Sequence, residues 1–172
     1  QVVWAADQLL TSDGVWVIQF QDLHQMLQQP AFDNITPEHL WYPSLAAIER
    51  LLIDTNLHVV DVALRPINGG SYRVYVQRKD KVVWPSVGRV RGQEAGCEDW
   101  DTLQAFAWRV GERTAQIQGL LQHLKREGRT IDVYACSTKF NTLSQVCHIG
   151  PELVRQGWER TAEKVGRRTV TG

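Results

Sequence analysis

The chain has 172 residues, 43% of them hydrophobic and 22% charged, and its 19 basic and 19 acidic side chains cancel to a net charge of zero. That is enough for one good core or two small ones, and it excludes the positive field of a nucleic-acid-binding protein, since Arg167-Arg168 is too short a cluster to track a polyanion. Cys97, Cys136 and Cys147 stand without CxxC spacing, which speaks against a disulfide framework or metal centre and for a reducing cytoplasm. No apolar run approaches the roughly 20 residues that span a bilayer, and no basic leader opens the chain, so neither membrane insertion nor export is expected.

In chain order, Val2–Leu10 has apolar residues at helical spacing and stops at the turn signal Ser12-Asp13-Gly14. Val15–Phe20 is a continuous apolar run, the pattern of an interior strand covered on both faces. Gln21–Gln29 suits a helix that Pro30 ends, and a loop from Ala31 to Pro43 follows. Ser44 reads as the N-cap of a helix whose stripe is Ile48, Leu51 and Leu52 and which stops near Asn56. His58–Pro66 and Ser71–Arg78 are strands, the second alternating Tyr72, Val74 and Val76 against Arg73, Tyr75 and Gln77. Lys79–Glu98 is charged and glycine-rich without either period, which predicts a linker or hairpin.

A long amphipathic helix is expected over Asp101–Glu127, striped by Leu103, Phe106, Ala107, Val110, Ile117, Leu121 and Leu124 and closed at Gly128. Ile131–Ala135 then reads as a short strand and Asn141–Cys147 as a helix, the opening of a nucleotide-binding-type unit. No later run suggests another strand. The seven tryptophans, at 4, 16, 41, 84, 100, 108 and 158, are expected mostly as core or interface anchors. Trp41 is the candidate among them for a ligand contact, and Trp84 for packing.

Three stretches carry candidate chemistry. Glu38-His39 places a carboxylate next to an imidazole, a pair suited to moving a proton near neutral pH; the alternative is a surface or capping histidine. Asn68-Gly69-Gly70-Ser71 joins two strands, and as a turn it needs glycine for positive φ. Ser137, Thr138, Lys139 and Asn141 lie where a strand gives way to a helix, where free amides and one ammonium suit a phosphate. Simple helix capping is the other reading there.

The order Phe32-Asp33, Glu38-His39, Tyr42, Ser44-Leu45, then Gly69-Gly70-Ser71 before Arg73-Val74-Tyr75 resembles the S-adenosylmethionine-dependent sugar C-methyltransferases that act on nucleotide-linked deoxysugars. Asp13-Gly14 before Val15–Phe20 is similar to the last substrate-side strand of that family's methyltransferase domain, and Tyr134–Leu143 to the motif opening its C-terminal domain. The resemblance implies His39 as the base that removes a proton from the sugar carbon to be methylated, with Glu38 as its orienting or sugar-binding partner. It implies Tyr42, Asn68, Gly69 and Ser71 on the sugar side, and Ser137, Lys139 and Asn141 as phosphate or nucleotide contacts. Departures stand at Thr36 and Pro37 (Tyr and His in the family), Asn68 (His), Ala135-Cys136 (Gly-Ala) and Phe140 (Gly).

The family's glycine-rich S-adenosylmethionine loop and its cysteine-bearing zinc domain have no counterpart in this sequence. The resemblance therefore implies the back portion of a larger enzyme, which continues beyond Gly172. The expected architecture is α/β: an incomplete Rossmann-like methyltransferase sheet made of its last strands over 1–80, a linker or hairpin over 81–100, and a long helix with the start of a second α/β unit over 101–172. A fragment without its own cofactor site is expected to be inactive in isolation and, with sheet edges uncovered, to form a homodimer through the long helix. A nucleotide-linked sugar is the expected ligand, and the alternative is a non-catalytic self-associating module that binds a nucleotide or a protein.

Overall fold

Alternation in Ser71–Arg78 puts Tyr72, Val74 and Val76 on one face, and in the computed structural model, which describes residues 1–172, all three are buried. The chain is mixed α/β, with six α-helices and five strands. It divides into two units, residues 1–29 with 41–103 and residues 30–40 with 104–172.

In the first unit, α1 (Val2–Leu9), β1 (Trp16–Gln21), α2 (Leu23–Gln28), α3 (Leu45–Leu51), β2 (Leu57–Arg65), β3 (Ser71–Arg78) and α4 (Pro85–Gln93) follow one another. The sheet order is β1-β3-β2, with β3 antiparallel to both neighbours. Tyr72, Val74 and Val76 pack with Leu57, Val59 and Val62 of β2, Leu45, Ile48 and Leu52 from the α3 region, and Val87 and Val90 of α4. Each of these aliphatic side chains contributes about 1.5–3 kcal/mol by leaving water. Arg78 reaches back from β3 to α1, its guanidinium 2.5 Å from Asp7 Oδ1 and donating to the Asp7 carbonyl at 2.7 Å.

Two sequence expectations change here. β1 is not covered on both faces: it is an edge strand of this sheet, and its exposure alternates, with Val17 outward and Trp16 and Ile18 against the core. A uniformly apolar run hides this, because hydrophobicity alone does not say which face finds a neighbour. The supposed linker contains α4. A bulge at Val59/Asp61 leaves the Val60 carbonyl to accept from Trp84 N at 2.8 Å, and Asp61 accepts from the Ser86 hydroxyl. Pro85 starts the helix at N1 and Val87 and Val90 turn inward. A Cβ added at its exposed glycines, Gly88 and Gly92, would meet nothing within 4 Å, so no close contact demands glycine there, and the inward packing of Val87 and Val90 outweighs their low propensity.

The second unit contains a 3-10 turn Phe32–Asn34, the long helix α5 (Trp100–Arg126, in this unit from Gln104 on), β4 (Asp132–Tyr134), α6 (Thr138–Val146) and β5 (Gln156–Trp158). Phe106, Val110, Ile117 and Leu121 pack on Phe32, Cys147 and Ile149, whereas Ala107 of the expected stripe is exposed. Gly128, with φ of 73°, closes α5 while Arg129 N donates to the Leu124 carbonyl at 3.0 Å. β5 corrects the expectation that no strand follows: it pairs in parallel with β4, residues 132–134 against 156–158. At three residues, with all side chains exposed, it carries no hydrophobic pattern that a sequence reading could detect.

Six of the seven tryptophans are exposed, Trp16 alone being half-buried. Aliphatic side chains with Tyr72 and Phe32 fill the two cores instead. No helix is long and apolar enough to cross a membrane. Leu57, fully buried where β2 begins, offers a test of the first core: Leu57→Ala lowers stability by about 2–5 kcal/mol, read from the midpoint of urea unfolding.

Candidate functional site

In the first unit, the candidate residues gather where β1 and β2 end and β3 begins, Gln21 and Arg65 both lying opposite Ser71. This end of the sheet carries the carboxyl ends of β1 and β2 and the amino end of β3. Successive amides knit the corner together: Asp22 N donates to Gly70 O at 3.4 Å and Leu23 N to Pro43 O at 3.2 Å. The loop bearing Tyr42 and the loop bearing Asn68 and Gly69 are thus anchored to adjacent residues.

The glycine turn has a steric cause. Asn68, Gly69 and Gly70 have φ of 53°, 84° and 132°, and a Cβ on Gly70 would stand 2.8 Å from Gln25 Cβ. Gln29 Nε2 donates to Gly69 O at 2.7 Å, and the buried Ser71 hydroxyl donates to Ile67 O at 2.9 Å. The Ser71 hydroxyl therefore serves the turn itself, and Asn68 and Gly69 form its exposed rim.

Glu38 and His39 belong to the second unit, on an exposed turn in which His39 N donates to Thr36 O at 3.0 Å. Tyr42, Asn68, Gly69 and Ser71 belong to the first. His39 Nδ1 lies 3.3 Å from Asn34 O; a carbonyl only accepts, so Nδ1 carries the hydrogen and Nε2 of the neutral ring carries the lone pair. The segment leading to this turn is anchored by buried Phe32 beside Cys147 and by Thr142 Oγ1 donating to Ile35 O at 3.1 Å. Lys139 Nζ stands 4.0 Å from Asp33 Oδ2, so α6 and the Glu38-His39 segment are linked within this unit.

Ser137 caps α6, its Oγ accepting from Phe140 N at 3.4 Å. Asn141 lines a cleft of about 680 Å³ with Cys136, Trp158, Lys164, Arg167 and Arg168 among its walls. The cleft opens at the carboxyl ends of β4 and β5. Trp158 Nε1 donates to Asp132 Oδ2 at 3.1 Å and Arg155 Nη2 to the same oxygen at 2.6 Å, and these bonds hold the Asp132 carboxyl below the usual carboxylate range. Sequence reasoning missed Trp158, Lys164 and Arg167 because the strand that brings Trp158 here was itself not legible.

Two backbone positions shape this wall. A Cβ on Gly157 would lie 2.4 Å from Cys136 Sγ, and Ala135 adopts φ of 65°, left-handed geometry that costs a residue with a Cβ about 1–2 kcal/mol. No group of three or more His, Cys, Asp or Glu could hold a metal ion. Ala135→Gly raises stability by about 1 kcal/mol, visible as a higher thermal midpoint, whereas Gly70→Ala lowers it by about 1–3 kcal/mol.

The family described as C-methyltransferase C-terminal domain matches residues 66–171. Over 171 residues the chain is 30% identical to the C-methyltransferase NovU of Streptomyces niveus, an alignment covering 97% of this chain and 41% of that protein. The chain thus spans well under half the length of that curated relative.

Proposed function

The chain belongs to the C-methyltransferase C-terminal domain family, and we propose that it is the substrate-side portion of an S-adenosylmethionine-dependent C-methyltransferase acting on a nucleotide-linked sugar. The observation that carries this reading is the orientation of His39. With Nδ1–H turned to Asn34 O, the Nε2 lone pair is the basic site, and it takes the proton from the sugar carbon next to a carbonyl, leaving an enolate. Glu38, adjacent in the chain, orients the ring or binds a sugar hydroxyl. Tyr42, Asn68 and Gly69 contribute to the sugar side, Ser71 by holding their turn. Ser137, Lys139 and Asn141, with the cationic walls of the cleft, serve the diphosphate.

S-adenosylmethionine supplies an electrophilic methyl group where it is bound. The strand-to-helix turns of this chain do not fit its cradle: residues 21–23 and 135–137 contain no glycine, and the Asp22 carboxylate is turned onto the Gln25 amide of its own helix at 2.8 Å. These features support a cofactor site in a part of the enzyme outside the 41% of the relative spanned here.

Proton removal is separable from methyl transfer, which gives the test. In deuterated buffer, the enzyme containing this chain exchanges the proton on the sugar carbon without methyl donor, and His39→Ala slows that exchange and C-methylation alike by about 10²–10⁴-fold. Unchanged exchange in the variant would overturn the role of His39. Calorimetric titration of the chain alone with S-adenosylmethionine is expected to give no heat of binding, and micromolar affinity would overturn the assignment of the cofactor elsewhere.

A second reading, a self-associating module, draws on α5, which has no fully buried residue and exposes Trp108 and Leu120. Light scattering decides it: a dimer at low micromolar concentration supports the module, and a stable monomer speaks against it.

A further inference from the structure

Asp22 and Glu94 are 0% and 5% exposed, and neither carboxyl takes part in the proposed proton removal or sugar binding. Asp22 is the N-cap of α2: its Oδ2 accepts from Gln25 N at 2.8 Å, while its buried Oδ1 has no hydrogen-bond partner. Glu94, the C-cap of α4, presents both carboxyl oxygens to Leu45 N, at 3.0 and 2.8 Å, on the first turn of α3. The two carboxyls meet in the interior. Two buried carboxyls side by side, one of them with an unpartnered oxygen, are costly unless a proton lies between them.

No cation is placed to neutralise two charges. Arg50 is engaged by Glu98 at 2.7 Å and Arg91 by Glu49 at 2.5 Å. The groups facing the pair are His24 from α2, Tyr72 from β3, and Cys97 beyond α4, with Glu98 and Asp99 near Cys97. Only His24 among them can be positive.

We propose that Asp22 and Glu94 share a single proton and form a pH-sensitive latch joining the first turn of α2 to the first turn of α3. Burial first, and the neighbouring Asp22 carboxyl next, push Glu94 up to about 8; burial likewise raises Asp22. The pair titrates as a unit. Loss of the shared proton leaves two adjacent anions, each fixed to a different helix, and repulsion parts them. The contact that yields is Leu23 N to Pro43 O, together with the Asp22 cap on Gln25 N. Leu45 N, held by a now fully charged Glu94, stays in place.

The sign follows from linkage. A carboxyl whose folded value lies near 8 and whose ordinary value is 4.5 stabilises the fold fully below 4.5, and that stabilisation is lost as pH rises to about 8. Across pH 5.5–8 the folding equilibrium constant of the whole chain is expected to fall by up to roughly tenfold per pH unit from this proton, measured by urea unfolding. Glu94→Gln flattens that slope and Asp22→Asn does so as well. Hydrogen exchange corrected for intrinsic rates should accelerate at Leu23 and Gln25 above pH 8 but not at Leu45. If a variant does not fold, the wild-type chain decides alone: an infrared band of a protonated carboxyl at pH 7 that fades near pH 8 supports the latch, and its absence at pH 7 overturns it. The same slope in folded Glu94→Gln overturns it too.

Discussion

β3 is the strand on which the first unit depends, because it is hydrogen-bonded on both edges, to β1 over residues 16–21 and to β2 over residues 57–65. Side chains alternate with a period of two, so one register places Tyr72, Val74 and Val76 together under α3 and α4. A slip by one residue would put Arg73, Tyr75 and Gln77 into the core. The tight turn before Ser71 pins that register, and Gly70 pins the turn against α2. The candidate sugar-side residues Asn68 and Gly69 thus lie on the one connection whose geometry the sheet cannot relax.

The corner at Asp22 joins this sheet to its helices. Its backbone amide holds the glycine loop, the next amide holds the Tyr42 loop, and its carboxyl caps α2. Glu94 adds the first turn of α3 to the same junction. Polar groups buried this deeply specify which partners may meet, since every wrong arrangement leaves charge or amide unsatisfied. A site assembled from loops gains its precision from such a junction rather than from the loops themselves.

The second unit solves a different problem with less material. Its cluster is small, Phe32, Cys147 and Ile149 under one face of α5, and the segment that carries Glu38 and His39 is secured to α6 through Phe32, Ile35 and Asp33. His39 stays exposed while its ring is oriented by a backbone carbonyl. Exposure suits the substrate-facing role proposed for it, and the carbonyl keeps the lone-pair nitrogen on a defined side of the ring.

Local pattern was enough wherever burial follows chain period. Ser71–Arg78, the Ser44 cap and the long amphipathic helix were legible as such, and the order of short motifs from Phe32 to Leu143 identified the family. α4 and β5 were not, because their residues gain structure from neighbours distant in sequence: a bulge carbonyl receives Trp84 N, and β5 exists as a strand only beside β4. The Glu38-His39 pair was visible as chemistry, but the partner that sets the His39 tautomer was not. The sequence by itself determined the alternation of β3, the glycine turn and the acid–imidazole pair, all properties of neighbouring residues. Only the tertiary structure decided that the tryptophans stay outside and that Asp22 and Glu94, 72 positions apart on the chain (94 minus 22), bury their carboxyls against each other, because burial is fixed by which surfaces meet and no local period records it.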